Sequence, residues 1–194
     1  MTRRALMTAL AVALAAGSGA EPALAHHAMG GETPTTFAQG LLSGLAHPVI
    51  GPDHLAFILA MGIASALVPG GLAVGFCFVA ASMGGVAAHT IGFALPLSEL
   101  LVALSVVAAG ATLGLRLASR PVIWIGLALL AGVAHGYAFG ESVVGAERGV
   151  IAAYLLGLAG VTMAIVAGIS AAVRWIGAAG EAAEPRVRLA GWAF

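Results

Sequence analysis

His47 and His54 enclose Pro48, Gly51, Pro52 and the carboxylate of Asp53. Imidazole suits zinc, copper, iron and nickel, and a carboxylate adds a hard oxygen donor and offsets charge. The two prolines and the glycine are expected to prevent a regular helix from His47 to Asp53, so that the backbone turns and brings His47 back toward the pair. Asp53 and His54 then fall in the first turn of the next helix, where the dipole favours a carboxylate. Asp53 can ligate directly or orient a histidine from behind. Further along stand His89, Glu99, His135 and Glu141, and near the start stands the pair His26-His27. Two or three histidines with one or two carboxylates hold a divalent ion without creating net buried charge. Met29, Met61, Met83 and Met163 are scattered and Cys77 is alone, which disfavours a soft, thioether-lined copper(I) path.

These residues must be positioned by apolar helices. The chain is 61% hydrophobic and 8% charged over 194 residues, with a mean hydropathy of +1.06. A soluble domain carries about 25% charged residues, so the bilayer is the solvent. Net charge is zero and lysine is absent, which excludes a nucleic-acid partner. A single cysteine excludes an internal disulfide. Apolar stretches at about 52–68, 72–95, 97–115, 121–139 and 149–173 approach the roughly 20 residues a span needs. Small residues such as Gly84, Gly85, Gly157 and Gly160 let helices approach closely in lipid. The expected fold is an all-α integral membrane protein, a compact bundle of about five transmembrane helices. The segment 34–47 adds a short N-terminal half-helix, with six crossings as the alternative.

Consecutive spans alternate in direction, so the starts of odd spans and the ends of even spans share one membrane face. Asp53, His54, His89, Glu99, His135 and Glu141 therefore gather at one level. Ionisable groups near the centre of a span cost roughly 2.5–3.5 kcal/mol each and mark ion pathways or relays. A single such residue is as well explained as an ordinary helix end. Six on one face are not.

Arg3 and Arg4, an apolar stretch from Ala5 to Ala16 and Ala23-Leu24-Ala25 have the pattern of a secretory signal peptide. Residues 1–25 are read as cleaved, 26–176 as the membrane domain and 177–194 as a polar C-terminal tail. With the mature N-terminus outside and five crossings, Arg116, Arg120, Arg174, Arg186 and Arg188 all fall inside and only Arg148 stays outside. The positive-inside rule favours that arrangement. It places the polar level at the external leaflet of a bacterial inner membrane, with the mature N-terminus periplasmic. If cleavage follows Ala25, the amine and imidazole of His26, with His27 beside it, become a capture point for metal.

The sequence 41–47 (LLSGLAH) resembles 129–135 (LLAGVAH), and at the same offset Asp53 aligns with Glu141. A third, partial copy is 85–89 (GVAAH). Internal repeats in transporters often meet around a shared site built with broken helices. Chance similarity between strings rich in alanine, glycine and leucine explains the repeat equally well.

The segment 47–54 (HPVIGPDH) resembles the HPxxGxDH signature of the HupE/UreJ family. The later segments 89–93 (HTIGF) and 135–142 (HGYAFGES) extend the resemblance over most of the mature chain. It implies a secondary permease for nickel or cobalt, with a link to nickel-enzyme maturation. It also implies functional positions at His47, Asp53 and His54, with Glu99 and Glu141 as later acids. No Walker A motif is present, so a gradient, the membrane potential or a partner must drive uptake. The expectation is a non-enzymatic transporter whose metal ion is cargo (nickel or cobalt first, copper or zinc next), with no organic cofactor. A homo-oligomer is compatible with it. A membrane-embedded zinc hydrolase, a metal-binding accessory protein and a haem carrier are the competing readings. The cytoplasmic half of the bundle is almost wholly apolar, so inward release needs a conformational opening.

Overall fold

The computed structural model describes residues 32–114 and 120–191, and within them the regular structure is entirely helical. The helices are α1 Phe37–Ile50, α2 Pro52–Leu67, α3 Leu72–Thr90, α4 Ser98–Gly114, α5 Pro121–Gly140 and α6 Arg148–Gly191; a 3-10 turn, Glu141–Val143, follows α5. The segment read as a signal peptide lies outside the described residues.

Helix α1 begins in a capping box. Gln39 N–H donates to Thr36 Oγ1 at 3.2 Å and Thr36 N–H to Gln39 Oε1 at 3.1 Å, which satisfies two of the donors a helix start leaves over. Contrary to expectation, Pro48 does not end this helix, which runs on to Ile50. A proline in the last turn removes one backbone bond only, and Gly51 N–H still reaches His47 O at 3.2 Å. The break is at Gly51. Pro52 then starts α2 at a position where a missing N–H costs nothing. The axes of α1 and α2 meet at 80°, so the two do not form one straight span.

Among the described residues, three helices are long and apolar enough to cross a membrane: α3, α5 with its 3-10 turn, and the part of α6 from Arg148 to Ala178. Helices α2 and α4 have 16 and 17 residues, or about 24 and 26 Å. The second span stops at Thr90, earlier than its hydropathy suggested. Gly92, at φ +84°, donates to His89 O at 2.9 Å, and Phe93 N–H reaches Ala88 O at 3.0 Å. This is the paired helix-ending motif that favours glycine. Helix α6 continues through the segment read as a polar tail as far as Gly191.

The most extensively packed helix pairs are α3 with α5 and α1 with α6. Glycines permit both contacts. A Cβ on Gly136 would meet the backbone of Ser82, and one on Gly44 would meet the carbonyl of Tyr154. Between these pairs, Phe57, Ile58, Met61, Phe78 and Trp124 form a fully buried core. Leu42, Leu130 and Leu156 are exposed on outer faces, as a lipid-facing surface requires.

Candidate functional site

The break at Gly51 fixes where His54 can lie. A Cβ at position 51 would stand 2.6 Å from His54 Cδ2, so only glycine leaves room for the ring in this orientation. Asp53 Oδ1 accepts the N–H of His54 at 2.8 Å. The carboxylate, in the first turn of α2, therefore satisfies one N–H that a helix start leaves over and fixes the His54 backbone, and this bond does not involve an imidazole. His47 sits one turn before the break, and the bend turns it toward His54, with ring centroids 5.7 Å apart.

From the far side of the chain, α5 brings His135 to the same place. His54 Nδ1 and His135 Nδ1 are 2.8 Å apart, and their ring centroids 4.9 Å. His135 Nε2 is 2.8 Å from Ser105 Oγ of α4. His47 Nδ1 is 2.9 Å from both Ser142 Oγ, on the 3-10 turn, and Tyr154 Oη, on α6. Phe139 packs on His47 and His54, with centroids at 5.2 and 4.3 Å, and Phe57 and Phe78 enclose His135 at 4.7 and 5.6 Å. All three histidines are at most 3% exposed. The result is a buried cluster of three imidazoles and three hydroxyls with aromatic walls.

The remaining candidates are placed otherwise. His89 is half-buried, bonds Tyr137 O through Nδ1 at 2.6 Å and stacks on the Tyr137 ring at 4.0 Å. Its bond is thus made with a carbonyl, and its partial repeat places no imidazole in the cluster. Glu99 and Glu141 are exposed at the starts of α4 and of the 3-10 turn. His26 and His27 lie outside the described residues. Among the described residues, no three or more His, Cys, Asp or Glu side chains are arranged to hold an ion. His54 Nδ1 and His135 Nδ1 face each other, and His135 Nε2 and His47 Nδ1 face hydroxyls.

Ser105 and Tyr154, both contacting the histidines, were not legible as site residues. Each is one hydroxyl in an apolar helix, and Ser65, Ser82 and Thr162 look the same in sequence.

A family model described as HupE / UreJ protein matches residues 10–194. The chain belongs to the HupE/UreJ family. The match covers nearly the whole chain, and the signature HPxxGxDH now has a local explanation at three of its positions. The glycine makes room for His54, the aspartate accepts its amide N–H, and the bend turns the two histidines toward each other. HupE/UreJ is a transporter-type family. No curated protein and no solved structure matches the chain.

Proposed function

We propose that this HupE/UreJ protein takes up a divalent transition metal ion, nickel or cobalt ahead of copper or zinc, across the bacterial inner membrane. His47, His54 and His135 form the binding station. The observation that carries the reading is the buried imidazole cluster itself. Polar groups in a membrane bundle are costly and mark ion pathways, and imidazole is the side chain borderline metals prefer.

His54 Nδ1 and His135 Nδ1 are hydrogen-bonded at 2.8 Å. This contact is a latch between α2 and α5, and an arriving ion opens it by competing for the lone pair of a ring nitrogen. Asp53 holds the His54 backbone still while the ring moves. Glu99 and Glu141, exposed at the same end of the bundle, raise the local concentration of cations at the mouth.

Release occurs through the inner half. Ser65 Oγ on α2 and Trp124 Nε1 on α5 are buried polar atoms without a partner among the described residues. Each is eleven residues from the latch histidine of its own helix, or about 16 Å along the axis. An opening between α2 and α5 that follows release of the latch gives these atoms water or the ion as a partner.

The test is uptake into liposomes loaded with purified protein, with nickel, cobalt, copper and zinc supplied separately. Flux of one metal, lost in the Asp53→Ala/His54→Ala variant, supports the proposal and names the cargo. Tight binding without flux would overturn it in favour of a hydrolase or an accessory protein, and a Soret band would indicate haem.

A further inference from the structure

The hydroxyls around the cluster determine which nitrogen of each imidazole carries its proton. Ser105 Oγ is 2.7 Å from the carbonyl of Val102, and Tyr154 Oη is 2.8 Å from the carbonyl of Phe139. Two oxygens this close need a hydrogen between them, and each hydroxyl has only one. Ser105 therefore donates to Val102 O, and towards His135 it can only accept. Tyr154 donates to Phe139 O, and towards His47 it too can only accept.

The ring protons follow. The bond of 2.8 Å between His135 Nε2 and Ser105 Oγ requires a proton on His135 Nε2. With one proton per ring, His135 Nδ1 carries the lone pair, and His54 Nδ1–H donates in the 2.8 Å contact between the two rings. The His54 lone pair is then on Nε2. By the same logic His47 Nδ1–H donates to Tyr154 Oη at 2.9 Å, with Ser142 Oγ at 2.9 Å sharing that proton. The lone pair of His47 is then also on Nε2.

We infer that Ser105 and Tyr154 are positioning residues that fix the tautomers of His135 and His47, and through His135 that of His54, so that the ring nitrogen carrying the lone pair is defined in each. The inference rests on the metal-uptake reading for its purpose, but not for its geometry. A neutral imidazole binds metal through the nitrogen its other bond leaves unprotonated, and loss of such a partner lowers metal affinity about 10- to 100-fold. Neither hydroxyl touches the ion. Each acts through its histidine.

The experiment combines two readouts on the full chain in nanodiscs and proteoliposomes. Nitrogen spectra of 15N-histidine protein report which ring nitrogen is protonated, with single His→Gln variants to assign the signals. Ser105→Ala is expected to convert the His135 and His54 signals from single tautomers to mixtures, and Tyr154→Phe to do so for His47. Ser105→Thr, which keeps the hydroxyl, should restore the wild-type spectrum. In uptake assays the two hydroxyl-deletion variants should raise the apparent KM about tenfold or more, with maximal rate near wild type and a melting temperature lowered by the buried groups left unpaired. Unchanged tautomers in both deletion variants would overturn the inference. A wild-type protein that moves no metal would sink the uptake reading, while the nitrogen spectra would still decide this one.

Discussion

The two copies of the Leu-Leu-x-Gly-x-Ala-His repeat begin alike and end differently. In both, the glycine three residues before the histidine lies against another helix. Gly44 faces the backbone of Tyr154 and Leu158 on α6, and Gly132 faces Phe78 and Ser82 on α3. In both, the histidine is buried and one of its ring nitrogens faces a hydroxyl that also binds a backbone carbonyl. After the histidine they part. The first copy breaks at Gly51, bends by 80° and restarts with Asp53 accepting the N–H of His54. The second continues as helix to Gly140 and leaves Glu141 exposed on a 3-10 turn. The shared part is a way to pack a helix and deliver an imidazole. The acid at matching offset is not structurally equivalent.

The strongest way to break this comparison is at the glycines. Gly44→Val and Gly132→Val should both abolish folded protein, because each new side chain meets backbone, and overpacking already costs about 1–3 kcal/mol where side chains can yield. Gly84→Ala, with nothing within 4 Å of its Cβ, is the control and should keep its yield and melting temperature. If only one of the two valine variants fails, the copies do not pack equivalently. Next come the delivered imidazoles. His47→Ala and His135→Ala should each lower metal uptake about tenfold or more, at least as much as losing an outer partner of a ligand. Folding should survive, as judged by chromatography and thermal melts. A tenfold loss in one with wild-type flux in the other would assign the station to a single copy.

A finer comparison sets the break against the uninterrupted end. Gly51→Ala places a methyl group 2.6 Å from the His54 ring, whereas Gly140→Ala places one 2.8 Å from Cβ of His89. The first should displace a latch histidine and raise the apparent KM about 10-fold, the lower end of the range seen when a ligand loses its orienting partner. The second disturbs a histidine already bonded to Tyr137 O and should leave KM near wild type. Equal effects would mean that His89 belongs to the ion path after all.

What the sequence revealed follows from what each residue depends on. Hydropathy alone dictates a helical bundle in lipid. Alternating span direction places His54 and His135 at one level, because that argument needs only helix order. Two features needed more. Pro48 suggested a break that its position in the last turn of α1 does not produce, since only one backbone bond is lost there. Ser105 and Tyr154 contact the histidines because of helix rotation and crossing, which no local pattern encodes. The acids illustrate a related limit of sequence order. Level along the membrane normal follows from sequence order, but whether a side chain faces inward depends on its azimuth. Glu99 and Glu141 have the right level and an exposed azimuth.

The acids offer the smallest expected effect and the sharpest separation of roles. Asp53→Asn retains an oxygen to accept the N–H of His54 but removes the charge that suits a helix start, a loss of about 0.3–1 kcal/mol in stability. Its effect on uptake should be modest, because the bond that fixes the His54 backbone survives. Glu141→Gln removes an exposed charge that makes no bond to the cluster, so only attraction of cations to the mouth is affected. That effect should be roughly twofold at low salt and vanish near 0.15 M, where screening acts over about 8 Å. Uptake rates measured with both variants across a salt series check this directly. A salt-independent loss in Glu141→Gln would show that the carboxylate enters the path during transport. The second copy would then swing its acid inward, and the two halves of the repeat would be equivalent in action though not at rest.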